Sequence, residues 1–129
     1  MGNRVDAESH KILLLLKIDS QNLFDRIKLK REDYLGIFAI KRTRSHFKDI
    51  FESRYSSLGL EDLKKCSEET VILLDKFYKE VGEIRWYLDH TEDMPATVED
   101  KINQHIKELE ILFNDLKIHL TAELEAKEK

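Results

Sequence analysis

The chain has 129 residues, 37 % charged and 41 % hydrophobic, with four glycines, one proline and one cysteine. That length suits one domain over residues 1–129 and one core. So few Gly and Pro exclude a small all-β fold, the apolar content excludes a disordered chain, and a lone Cys66 excludes an internal disulfide scaffold.

Near the start, the apolar run Ile12–Leu16 is bounded by Lys11 and Lys17. It is too short for a signal peptide or a membrane span. Asp6 stands where a myristoylation signal needs Ser or Thr. With a single cysteine as well, the expected location is the cytoplasm, with no membrane association.

Hydrophobic periodicity predicts an all-α antiparallel four-helix bundle. The first helix runs from Asp6 to Lys30 on the stripe Ile12, Leu16, Ser20, Leu23 and Ile27, widened by Leu13 and Phe24. The second runs from Glu32 to Ser56 and carries Ile37, Ile40, Arg44, Phe47, Phe51, Tyr55 and Leu58 on one side. Joined, the two would be one kinked rod of ~75 Å, so a turn near Leu29–Asp33 is preferred. The run Tyr34–Ile40 is the stretch that could instead read as a strand, being almost continuously apolar.

Gly59 ends that segment. The third helix follows from Leu60 to Asp89, with Leu63, Cys66, Thr70, Leu73, Phe77, Val81, Ile84 and Leu88 at bundle spacing. Asp93-Met94-Pro95-Ala96 is the best turn, with Thr97 and Asp100 resembling a capping box. The fourth helix runs from Val98 to Glu125 through Ile102, Ile106, Leu109, Phe113, Leu116, Leu120 and Leu124. Residues 1–5 and 125–129 are polar ends expected to fray.

Charge divides unevenly. Residues 1–57 hold 12 basic and 8 acidic side chains, while 58–129 hold 10 and 18, so the halves carry +4 and −8. Such halves can steer one hairpin onto the other or orient a partner.

Catalytic constellations, cofactor loops and metal signatures are not expected. The glycines are isolated, so no phosphate loop forms. No glutamate lies three residues before any of the five histidines, as a di-iron bundle requires. Asp115, His119 and Glu123 share one side of the last helix, yet they span ~12 Å, too far for one ion. His105 and His119 are ~21 Å apart and cannot share a metal. Cys66 reads as a buried structural thiol on the third helix's stripe.

Binding surfaces are the better prospect. Lys41, Arg42, Arg44 and Lys48 form the densest basic stretch, enough for an anion or an acidic protein. A net charge of −4 argues against nucleic acid. Arg44 and Arg54 fall on an apolar stripe and should find a carboxylate, for which Glu80 is the candidate. On the third helix Val71, Tyr78, Gly82 and Trp86 trace a line outside the seam, and Leu35 and Phe38 point away from theirs. These off-face residues predict a non-enzymatic interaction protein, a homodimer or a small adaptor or regulator. The rival reading is a ligand- or metal-binding sensor using the arginines or the Asp115/His119/Glu123 stripe.

Overall fold

The computed structural model describes residues 2–128, with side chains described for 7–126. The fold is all-α. Its elements are α1 (Gly2–Leu29), α2 (Arg31–Lys41), α3 (Phe47–Ile50), a 3₁₀ turn (Tyr55–Ser57), α4 (Leu60–Leu63), α5 (Glu68–His90) and α6 (Pro95–Glu128). No strand occurs among the described residues, and Tyr34–Ile40 lies within α2. No described helix is long and apolar enough to cross a membrane. Backbone helix continues to Gly2 and to Glu128, while the expected fraying falls largely on residues whose side chains lie outside those described.

Three long helices build the core, with α6 packed along both α5 and α1. Leu13, Leu16, Leu23 and Ile27 of α1 meet Leu74, Phe77, Ile84 and Leu88 of α5 and Ile102, Leu109, Leu116 and Leu120 of α6, none more than 1 % exposed. Each such side chain contributes roughly 1.5–3 kcal/mol of transfer free energy. Phe113 ties the three together, stacked on Phe24 of α1 at 4.6 Å and tilted against Phe77 of α5 at 5.8 Å.

The expected turn after α1 falls at Lys30, which separates α1 from α2. The expected second helix, 32–56, does not run through. It ends at Lys41, where Arg42 takes the left-handed conformation (φ 55°) and its N–H donates to the Phe38 carbonyl. Neither glycine nor proline marks that stop, so local sequence carries no signal for it. Aromatic burial explains it. Tyr34 and Phe38 face inward from α2, and after the break Phe47 and Phe51 turn in beside them, Phe47 meeting Tyr34 edge-on at 6.2 Å. Ile37 and Ile40, expected on the buried stripe, lie on the solvent side, Ile40 at 84 % exposure. Phe38, expected to face a partner, is core.

The expected third helix also divides. Ser67 has an extended backbone and its Oγ accepts from Thr70 N at 3.2 Å, so α5 starts at Glu68 behind an N-cap. α6 begins at Pro95, where the missing N–H removes nothing from the helix ladder. Thr97 and Asp100 therefore lie inside α6 and not at its cap.

Candidate functional site

Along the α5–α6 seam, two carboxylates and an imidazole come together. Glu80 sits on the flank of α5, next to the buried stripe. His105 and Glu108, three residues apart, are neighbours on one face of α6. His105 Nδ1 lies 2.7 Å from Glu80 Oε1, with side-chain exposures of 29 % and 12 %. One ligand atom from each of Glu80, His105 and Glu108 lies within 4.8 Å of the others. Glu108 is exposed and forms the mouth, and the Tyr87 ring stands 6.4 Å from the His105 ring. The sequence expectation that Glu80 partners Arg44 or Arg54 is therefore overturned, since its partner is His105.

Arg44 turns instead to the C-terminal end of α5. Its guanidinium donates to the Asp89 carbonyl and, at 2.6 Å, to the Thr91 carbonyl, with Glu92 at 3.4 Å and the Phe38 ring beneath it at 5.2 Å. A cation there satisfies carbonyls that the helix leaves without partners. Arg54 is exposed, and it is its backbone N–H that is used, donating to Asp19 Oδ1 at 2.9 Å. Because α2 stops at Lys41, the basic residues do not share one helix face. Lys41 ends α2, Lys48 belongs to α3, and Arg42 lies over the Phe38 ring at 5.8 Å.

The last-helix stripe is likewise divided among separate tasks. Asp115 and His119 are exposed, His119 Nδ1 lying 2.9 Å from the Asp115 carbonyl. Glu123 caps the start of α5, accepting from Ser67 N at 3.0 Å and from the Thr70 hydroxyl. Cys66, half-buried, lies in the link before α5 and not in mid-helix.

Of the off-seam residues on α5, Trp86 is 64 % exposed and stacks on His90 at 4.7 Å. A Cβ added at Gly82 would meet nothing within 4 Å, so this part of the face is open. Tyr78, expected to extend a partner surface, turns inward. Its ring stacks on Tyr55 at 3.9 Å and its hydroxyl donates to Asp19 at 2.6 Å. Burial, then the Asp19 carboxylate, push the Tyr78 hydroxyl well above the usual tyrosine range. Val71 is half-buried.

Two carboxylates at these clusters escape the sequence reading. Asp19 follows Leu16 by three and precedes Leu23 by four, a spacing that places it beside the stripe. Glu108 follows His105 by three, whereas the di-iron pattern looks for glutamate before histidine. No protein-family model, curated protein or solved structure matches the chain.

Proposed function

We propose that the chain is a non-enzymatic interaction module, working in the cytoplasm, that pairs with a second copy of itself through the outward face of α5. In this reading the domain is an antiparallel four-helix bundle whose second helix is shortened to α2 and continued by the partly irregular segment 42–67.

The observation that carries the reading is Trp86, the largest side chain of α5, 64 % exposed and turned away from the buried stripe of its helix. Tryptophan is among the most frequent interface anchors, and a face bearing Gly82 allows two helices to approach closely. Charge on the same face is self-complementary. In a two-fold antiparallel pair centred between Gly82 and Glu83, Lys79 of each copy meets Trp86 of the other and Asp75 meets His90. The first contact is a cation over an aromatic face, the second an ion pair when the histidine is protonated.

Sedimentation across a concentration series tests this. Wild-type chain is expected to pass from monomer to dimer, and Trp86→Glu to weaken pairing by about 2 kcal/mol, some thirtyfold in Kd. A wild-type chain that stays monomeric near ~1 mM, about 4 kcal/mol of association, overturns the reading.

A further inference from the structure

We propose that Glu80, His105 and Glu108 form a binding site for one divalent transition-metal ion, with zinc the member of that class the donors fit best. The inference is independent of self-association, since all three ligands come from one chain.

The imidazole sets this cluster apart from an ordinary acidic patch. Nitrogen plus carboxylate oxygen suits zinc and its neighbours, while calcium and magnesium favour all-oxygen shells. Donor atoms around a tetrahedral zinc lie about 3.4 Å apart, given ligand bonds of about 2.1 Å. Here they run from the 2.7 Å of Glu80–His105 to at most 4.8 Å. Side-chain rotations of about an ångström open the shorter distance and close the longer ones to that spacing. Both helices are rigidly packed, so the helix backbones need not move.

Electrostatics points the same way. Among the described residues, neither Glu80 nor Glu108 forms an ion pair with a lysine or arginine, and His105 is the group that approaches Glu80. Two carboxylates with one imidazole carry the charge that a divalent ion neutralises. When metal binds through His105 Nδ1, the hydrogen bond from that nitrogen to Glu80 Oε1 is given up, and the ring binds as neutral imidazole with its hydrogen on Nε2. A water completes the shell on the open side beside Glu108.

Titration of the full chain with zinc against a chromophoric chelator, paired with the cobalt(II) absorption spectrum, tests the site. One ion per chain is expected, with no thiolate-to-cobalt charge-transfer band. Glu80→Gln, His105→Gln and Glu108→Gln should each weaken binding about tenfold or more, and His119→Gln should leave it unchanged. Glu108 is exposed, so its variant keeps the fold and decides the matter even if a seam variant unfolds. Absence of binding near ~1 mM zinc, about 4 kcal/mol, overturns the site. So does affinity indifferent to Glu108→Gln, or a thiolate band that assigns the ion to Cys66.

Discussion

The Tyr78 hydroxyl donates to Asp19 Oδ2 at 2.6 Å, joining α5 to α1 across 59 residues of sequence. The same carboxylate accepts from Ser53 Oγ at 2.7 Å and from Arg54 N at 2.9 Å. One buried acid thus holds two helices and the turn between them. Tyr78→Phe removes one donor and is expected to cost about 1–2 kcal/mol. Asp19→Ala leaves three donors without their acceptor and is expected to cost about 3 kcal/mol or more. Urea denaturation of both variants measures the difference. Equal losses would mean that Asp19 serves Tyr78 alone. The raised Tyr78 pKa favours the neutral phenol in the folded state. That contribution is complete below the ordinary tyrosine value near ~10 and fades as pH climbs beyond it.

Arg44 and Arg54 are expected to part company on substitution. Arg44 closes the C-terminal end of α5 through two carbonyls, so Arg44→Ala should cost about 1–2 kcal/mol. Arg54 contributes its backbone and not its guanidinium to the clamp, so Arg54→Ala should stay within about 0.5 kcal/mol. Chemical denaturation compares them, and equal costs would contradict this assignment.

Position 42 is a backbone test. A left-handed conformation strains any residue with a Cβ and suits glycine. Arg42→Gly is expected to match or exceed the wild type by up to ~1 kcal/mol, because it relieves strain but gives up the contact with Phe38. Arg42→Val should instead lose about 1–2 kcal/mol, since a branched Cβ fits that region worst. Thermal unfolding of the pair gives the order, and a more stable valine variant would contradict it.

At the α5–α6 turn, Asp93 Oδ2 accepts from the Tyr87 hydroxyl at 2.7 Å and from Lys101 Nζ at 3.1 Å. These two hydrogen bonds, the tyrosine's foremost, hold the Asp93 carboxyl below its ordinary value. A depressed pKa means the folded state favours the charged form. Its contribution is present above the ordinary aspartate value and is lost as pH falls through the folded one. The thermal midpoint of wild type should therefore drop more between about pH 5 and pH 3 than that of Asp93→Asn. Parallel curves would show that Asp93 adds nothing.

Where a helix buries a long regular stripe, sequence suffices. Every stripe residue expected on α6, from Ile102 to Leu124, is buried, and α1 follows its pattern closely. Between residues 42 and 67 the pattern misleads. There the interior is filled by Phe47 and Phe51 reaching back to Tyr34, a long-range preference that overrides helical period. Polar partners were less legible still. Glu80 stands out in the sequence as a candidate partner for a buried cation, but choosing His105 over an arginine depends on how α5 and α6 lie in register. Trp86 was readable because its exposure follows from its position on one helix.

The link between α5 and α6 is only residues 91–94, whereas α1 ends at Leu29 and α6 begins at Pro95. Contacts of short sequence separation close at the smaller entropic cost, so the α5–α6 hairpin is the natural nucleus and α1 docks onto it. Synthesis runs in the opposite order. The first helix emerges with Leu13, Leu16, Leu23 and Ile27 uncovered, and the α5 and α6 surfaces that will cover them follow it in the chain. During that interval its stripe is open to any other apolar surface nearby.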